Sequence, residues 1–172
     1  DRCNFRCPYC MPEDKYHPDF EFLKSAERLS FEEILRLAHI FAGLGVRKLR
    51  ITGGEPLLQL DAPLIAALHN AGFEVAVETN GTQVAPAGLD WICVSPKGTA
   101  PLALQYGNEL KLVYPQHDAP PEAFASLDFQ HFILQPMDGP DRDANTADAV
   151  AYCLAHPRWR LSLQTHKYLG IP

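Results

Sequence analysis

The stretch Arg47-Lys-Leu-Arg-Ile-Thr-Gly-Gly-Glu-Pro56 decides the fold, because it reads as a strand that stops abruptly at a glycine turn. Glycine tolerates left-handed backbone and proline lacks an amide donor, so residues 53–56 cannot continue the strand. A helix is predicted directly before it. Ser30-Phe-Glu-Glu33 is a capping box, and apolar residues then recur at helical spacing as far as Gly43 or Gly45.

Strands and helices alternate along the rest of the chain. The predicted strands cover residues 47–52, 73–79, 89–95, 109–114, 131–135 and 160–164, and further helices are predicted over 62–70 and 143–156, the last opened by Asp143. Residues 1–29 read as a loop, and the connection 119–128 is short and Pro-rich, so a helix there is doubtful. Because alternating strands and helices form parallel βαβ units, we predict an α/β fold, an incomplete β/α barrel. We expect one domain over 1–172, with a loop at 1–29 and β/α units over 30–172.

The unusual residues of the chain fall where predicted strands end. In parallel α/β sheets, active sites lie at the carboxyl ends of the strands. Four such ends carry glycine or polar side chains: Thr52 to Glu55, Glu78 to Asn80, Ser95 to Lys97, and Gln135 to Asp138. The sequence therefore predicts a site at this edge of the sheet.

Three of the five cysteines, Cys3, Cys7 and Cys10, are crowded at the start of the chain. A short loop with this spacing can bind three irons of a [4Fe–4S] cluster and leave the fourth iron open to a small chelating molecule. Cys93 and Cys153 fall inside a predicted strand and helix, where a buried apolar cysteine is the common case. Zinc with His17 as fourth ligand is the alternative. Metal-binding cysteines favour a reducing, cytoplasmic compartment.

The composition of the chain excludes some other classes of protein. Its 172 residues carry a net charge of −6, so a protein that tracks nucleic-acid phosphates is not expected. Apolar residues make up 47%, and no apolar run approaches the ~18 residues of a membrane span.

The cysteine motif, with Tyr9 before the third cysteine, resembles the signature of the radical S-adenosylmethionine (SAM) superfamily. The resemblance implies that SAM binds the open iron and is cleaved to a 5′-deoxyadenosyl radical, which takes hydrogen from a substrate. Residues 53–56 resemble the second motif of that superfamily. There the backbone of Gly53 and Gly54 meets the methionine part of SAM, and Glu55 pairs with its ammonium group.

Two families within the superfamily are similar to different parts of the chain. Residues 1–58 resemble the GTP 3′,8-cyclase of molybdenum cofactor biosynthesis, and residues from about 52 to 172 resemble 7-carboxy-7-deazaguanine synthase of the queuosine pathway. The second resemblance rests on residues 77–82, 90–97, 109–113, 135–140 and 159–172. The chain therefore looks like a mosaic, and the longer resemblance implies a lyase that converts 6-carboxy-5,6,7,8-tetrahydropterin to 7-carboxy-7-deazaguanine.

The synthase resemblance also implies a set of binding residues. Those assigned to SAM and the cluster surroundings are Tyr9, Met11, Gly53, Gly54, Glu55, Glu78, Asn80, Ser95, Pro96, Lys97, Gln135, Pro136, Met137 and Asp138; those assigned to the substrate are Thr52, His166 and the terminal Pro172. The expected partners are the pterin and an external electron donor of the flavodoxin or ferredoxin type. An open sheet edge would allow a homodimer.

The chain departs from the synthase pattern in two places. The family has a threonine after its third cysteine that helps to bind Mg²⁺, whereas Pro12 offers no side-chain oxygen, which weakens the expectation of magnesium. That family also has a strand before its cysteines, and we expect this strand to be missing here, which would leave an edge strand unpaired. Two alternatives stay open: a cyclase-like enzyme acting on GTP, and a non-catalytic Fe–S-binding chimera.

Overall fold

The computed structural model describes Cys3, Phe5, Glu21 and residues 23–170, and it contains one sheet of six parallel strands in chain order. The strands are β1 Lys48–Ile51, β2 Glu74–Thr79, β3 Trp91–Val94, β4 Tyr106–Tyr114, β5 Asp128–Pro136 and β6 Trp159–Leu161. The helices are α1 Phe31–Gly43, α2 Ala62–Asn70, α3 Arg142–Ala155 and α4 Thr165–Tyr168. Within the described residues β1 and β6 each pair with one strand only, so the barrel is not closed. The predicted α/β partial barrel is confirmed.

Local side-chain caps set the beginnings of the first two helices. Ser30 Oγ accepts a hydrogen bond from the Glu33 amide at 3.2 Å, and the Glu33 carboxylate accepts one from the Ser30 amide at 2.8 Å. Asp61 caps α2 by accepting from the Leu64 amide at 3.0 Å. Each cap satisfies amide donors that the first helical turn leaves without partners. The predicted capping box and the predicted bounds of α2 are therefore confirmed.

Several predicted bounds were wrong near the carboxyl end of the chain. Helix α3 begins at Arg142 after Asp141, not at Asp143, and strand β6 ends at Leu161 instead of Gln164. The Ser162 amide still donates to the Leu134 carbonyl at 2.8 Å, and the chain then leaves the sheet and forms the short helix α4, which was not predicted, from Thr165. Four residues are too few to show a helical pattern in a sequence.

Strands β4 and β5 are longer than predicted, since the sequence indicated starts at Glu109 and His131 whereas they start at Tyr106 and Asp128. The two strands pair from Tyr106 opposite Asp128 onward, so tertiary pairing extends both into residues with weak strand preference.

Two of the connections between strands contain no helix, contrary to strict alternation. Residues 80–90 join β2 to β3 and residues 95–105 join β3 to β4 without one, and β4 leads to β5 through a single 3₁₀ turn, Pro121–Phe124. Apolar side chains of these connections, such as Leu104 and Ala119, cover the sheet where a helix would otherwise pack. The doubt about a helix within 119–128 is therefore justified, since only this 3₁₀ turn forms there.

The hydrophobic core lies on one face of the sheet, which we call the outer face. Its buried strand side chains are Val75, Val77, Val94, Leu110, Leu112, Phe132 and Leu134. Because side chains alternate along a strand, the residues between them point to the opposite, inner face. Among the described residues no helix is long and apolar enough to cross a membrane.

Candidate functional site

The carboxyl ends of the strands are joined into one continuous edge, beginning with Glu55. This side chain is fully buried, and its Oε1 accepts hydrogen bonds from the Leu57 amide at 3.1 Å and the Thr79 hydroxyl at 2.6 Å. Its Oε2 accepts one from the Asn80 amide at 2.7 Å. A buried carboxylate needs such donors, and these three connect the turn after β1 to the end of β2.

The two glycines before Glu55 have backbone conformations that other residues rarely adopt. Gly53 has φ 90° and Gly54 has φ 56°, and both are exposed at the edge of the sheet beside Thr52. Two successive left-handed residues turn the chain sharply at the end of β1. The turn leaves backbone there without side chains to cover it, as close approach of a ligand requires.

The end of β3 lies directly beside the end of β2. The Ser95 amide donates to the Thr79 carbonyl at 2.7 Å, and Lys97 Nζ donates to Ser95 Oγ at 3.1 Å. Ser95 and Pro96 are buried, whereas Lys97 is half-buried. An ammonium group and a hydroxyl therefore lie together at this edge, where they can bind an anionic or polar ligand.

The segment 135–138 continues the edge at the end of β5. Met137 donates its amide to the Tyr114 carbonyl at 2.7 Å and accepts from Asn145 Nδ2 at 3.0 Å, which fixes this backbone on both sides. Pro136 is buried and Gln135 half-buried, but Asp138 is exposed and accepts from Lys167 Nζ at 2.6 Å. That hydrogen bond holds the pKa of the Asp138 carboxyl below its usual value.

Four charged side chains form an ion network on the inner face, just below this edge. Arg50 on β1 lies 3.6 Å from Glu78 on β2 and 3.7 Å from Glu109 on β4, and Lys111 on β4 also pairs with Glu78. A contact from the first strand to the fourth would span roughly 14 Å in a flat sheet, so it shows how strongly this sheet curls. The inner face is therefore a concave, charged cleft with two cations and two anions.

Cys93 faces the same cleft, but it is not a candidate ligand for a metal. Burial raises the pKa of its thiol, and the nearby charge of Glu78 raises it further. Burial likewise raises the pKa of Cys153 in α3. Among the described residues, neither thiol belongs to a group of side chains that could hold a metal ion.

Cys3 differs from these two cysteines in its surroundings. It is half-buried, and its Sγ accepts a hydrogen bond from the Phe5 amide at 3.4 Å. Amide hydrogen bonds to sulfur are one of the features that tune cysteine-bound iron–sulfur clusters. The surroundings of Cys3 therefore fit a cluster ligand.

Some predicted site residues lie outside the described part of the chain: Cys7, Tyr9, Cys10, Met11, Pro12, His17 and Pro172. The described ones, from Thr52 to Asp138, gather at the carboxyl edge as predicted. Asn80 forms a local turn in which its Oδ1 accepts from the Thr82 amide and hydroxyl. His166 lies in α4, exposed.

Sequence reasoning missed three members of the ion network: Arg50, Glu109 and Lys111. The signal was present in β4, where charged Glu109 and Lys111 alternate with the apolar Leu110 and Leu112. Such a period of two places both charges on the face opposite the core. The individual ion pairs depend on sheet curvature, which no local pattern reveals.

Comparison with known proteins agrees with this geometry. The family model described as the Radical SAM superfamily matches residues 1–117. The 7-carboxy-7-deazaguanine synthase of Caulobacter vibrioides is 72% identical over 121 residues, covering 70% of this chain and 58% of that protein. The synthase of Bacteroides thetaiotaomicron is 37% identical over 169 residues, covering 98% of this chain and 83% of that protein.

Two further similarities bear on the mosaic and on the fold. A GTP 3′,8-cyclase of Acidothermus cellulolyticus is 51% identical over 105 residues, covering 55% of this chain and 29% of that protein. The crystal structure of QueE from Escherichia coli superposes with a TM-score of 0.69 at 28% identity, covering 95% of this chain and 82% of that one.

The chain spans 58% of the length of the first curated relatives that it matches. The relative from Bacteroides thetaiotaomicron, in contrast, is matched over most of its own length. Together with the superfamily match, that coverage is decisive for family membership. This chain belongs to the radical SAM superfamily and, within it, to the family of the 7-carboxy-7-deazaguanine synthases.

Proposed function

We propose that this chain converts 6-carboxy-5,6,7,8-tetrahydropterin into 7-carboxy-7-deazaguanine. The observation that supports this most is the 37% identity to a named synthase across 98% of this chain. In the reaction a hydrogen atom is abstracted from the pterin, the ring contracts, ammonia departs and one hydrogen atom is returned, so the pterin gives the product and ammonia with no net change in oxidation state. The concave inner face offers this polar substrate charged groups of both signs.

The cofactors of this reaction would lie above the inner face. A [4Fe–4S] cluster on Cys3, Cys7 and Cys10, with SAM on its open iron, supplies a hydrogen-abstracting 5′-deoxyadenosyl radical when both are bound. An external one-electron donor of the flavodoxin or ferredoxin type provides the electron that reduces the cluster and so starts this chemistry. No side chain at position 12 can bind Mg²⁺, because Pro12 has no side-chain oxygen.

Residues at the carboxyl edge would bind and orient SAM. We assign the carboxylate of its methionine part to Lys97 and Ser95, whose ammonium and hydroxyl groups lie 3.1 Å apart. Glu78 and Asn80 contribute oxygen atoms, and the segment 135–138 contributes backbone that its neighbours hold in place. Gly53 and Gly54 let the backbone approach the ligand closely.

Glu55 would mainly hold the turn after β1 against the end of β2, since all three of its described hydrogen bonds come from protein groups there. A role in pairing with the SAM ammonium group would use its remaining acceptor capacity. Thr52, His166 and Pro172 are proposed to contact the pterin.

The test is anaerobic reconstitution with iron and sulfide, followed by incubation with SAM, a reductant and either the pterin or GTP. We expect 7-carboxy-7-deazaguanine from the pterin and no consumption of GTP. Product from GTP alone would favour the cyclase alternative, and no product from either would favour a non-catalytic chimera.

Two cysteine variants provide matched controls for that test. Cys10→Ala should lose the cluster absorbance together with the product, because it removes a proposed ligand. Cys153→Ala should keep both, because its thiol lies in α3, away from the cleft. Equal iron contents in the two variants would refute the assignment of the cluster ligands.

A further inference from the structure

The short helix α4 is attached to the rest of the protein by side chains to which the proposed function gives no role. Lys167 Nζ donates to Asp138 Oδ2 at 2.6 Å, and the Tyr168 hydroxyl lies 3.0 Å from Thr146 Oγ1. The Arg142 guanidinium lies 4.8 Å above the Tyr168 ring. These contacts join α4 to the end of β5 and to the first turns of α3.

Helix α4 cannot keep this position by its own stability. It has four residues, and its backbone hydrogen bonds include those from Lys167 to Gln164 at 2.9 Å and from Leu169 to Thr165 at 3.0 Å. Residues 165–170 are all exposed, so little apolar burial stabilises them. Because isolated helices of this length do not persist in water, the side-chain contacts decide where α4 lies.

The partner of Lys167 is firmly placed. Asp138 follows Met137, whose backbone is bonded to both Tyr114 and Asn145. The lowered pKa of Asp138 agrees with a carboxylate that stays charged and paired with Lys167. An anion next to the fixed backbone of Met137 and a cation on a weakly stable helix therefore form one connection between the two proposed binding regions.

We propose that Lys167 and Tyr168 are positioning residues that hold α4 against β5 and α3, so that the adjacent His166 lies where the substrate binds. This inference deepens the proposed function and rests on it. The two side chains raise the affinity for the pterin without contacting it. They leave the affinity for SAM unchanged, because hydrogen bonds to Tyr114 and Asn145 fix the backbone of Met137 without α4.

The first arm of the test measures amide hydrogen exchange of residues 165–170 in the intact chain. Loss of a partly exposed ion pair changes an equilibrium by about threefold to fivefold, and we expect exchange to accelerate by that factor in Lys167→Ala. Lys167→Arg should restore most of the protection. Lys48→Ala is the matched control, because Lys48 forms an ion pair with Glu74 at 3.3 Å at the opposite edge of the sheet.

The second arm measures the KM for the pterin, the kcat and the Kd for SAM. Lys167→Ala should raise the KM by about threefold to fivefold with little change in kcat, and the double variant with Tyr168→Phe should raise it further. The Kd for SAM should stay at the wild-type value. High salt should weaken the effect of Lys167 because it screens the pair.

The outcomes separate this inference from the proposed function. Equal exchange in Lys167→Ala and Lys48→Ala would overturn the attachment of α4. Faster exchange with an unchanged KM would overturn the positioning role. A wild-type protein that forms no 7-carboxy-7-deazaguanine would refute the proposed function instead. Amide hydrogen exchange of residues 165–170 would then still show whether Lys167 holds α4 in place.

Discussion

The two faces of the sheet are built from alternate residues of the same strands, yet they have different roles. The outer face presents buried apolar side chains, such as Val77, Leu110 and Phe132, to the core. The inner face presents the charged side chains of Arg50, Glu78, Glu109 and Lys111 to the cleft, with the buried Cys93 on the same face. Residues that stabilise the core and residues that can bind a ligand therefore alternate along each strand.

The inner face tolerates its charges because they balance. Two cations and two anions lie in contact, so none of the four is buried without a partner. Arg50 belongs to the part that resembles the cyclases, whereas Glu78 and Glu109 belong to the part that resembles the synthases. The ion network therefore joins side chains from the cyclase-like part of the chain to side chains from the synthase-like part.

The largest effect is expected from neighbouring residues on opposite faces. Phe132 is 1% exposed and lies edge-on to Trp159, with ring centroids 5.2 Å apart. Phe132→Ala should lower the free energy of unfolding by about 3–5 kcal/mol. Ile133→Ala, on the inner face, should cost roughly 1–2 kcal/mol because that side chain is only half-buried. Urea unfolding checks both, and equal losses would remove the distinction between the faces.

A smaller effect is expected where the carboxyl edge meets the core. Gly81 has φ 82°, and a Cβ there would lie 2.6 Å from Val94 Cγ1, so Gly81→Ala should cost about 2–3 kcal/mol. Gly72 has φ 91°, but a Cβ there would meet no atom within 4 Å, so Gly72→Ala should cost only ~1 kcal/mol. Thermal or urea unfolding of both variants measures the difference, and identical costs would show that the contact with Val94 relaxes freely.

The ion network should affect activity more than stability. Lys111→Met removes one of the two cations that pair with Glu78, and we expect product formation to fall by about tenfold. Because Lys111 and Glu78 are 16% and 23% exposed, the loss of unfolding free energy should be only about 1–2 kcal/mol. Lys111→Arg keeps the charge and should recover most of the activity. A Met variant with full activity would show that the inner face is structural.

The smallest effect concerns a pair away from the cleft. The pKa of Asp90 lies below its usual value because its carboxylate accepts hydrogen bonds from the Val75 amide and from His69. A lowered folded-state pKa contributes stability above the unfolded value, near pH 4, and that stability disappears as the pH falls further. Since the side chain is 44% exposed, Asp90→Asn should cost only about 0.5–1 kcal/mol. Urea midpoints should differ above pH 5 and converge below pH ~4, and a constant difference would contradict this account.

How much the sequence could predict depends on the range of the interactions. The capping box at Ser30 and the bounds of α2 were predictable because they follow from side chains within one helical turn. The edge from Thr52 to Asp138 was predictable because every parallel strand contributes its carboxyl end. Helix α4 and the pairs Arg50–Glu109 and Lys167–Asp138 were not, because they depend on sheet curvature and on contacts between residues far apart in the chain.

The most direct test of the central claim follows deuterium from the substrate. The claim is that the inner face binds the pterin so that its hydrogen is transferred to the nucleoside derived from SAM. Reconstituted protein is incubated anaerobically with SAM, a reductant and ring-deuterated 6-carboxytetrahydropterin, and 5′-deoxyadenosine is analysed by mass spectrometry. We predict deuterated 5′-deoxyadenosine together with 7-carboxy-7-deazaguanine. Unlabelled 5′-deoxyadenosine formed at the same rate with and without the pterin would contradict the claim.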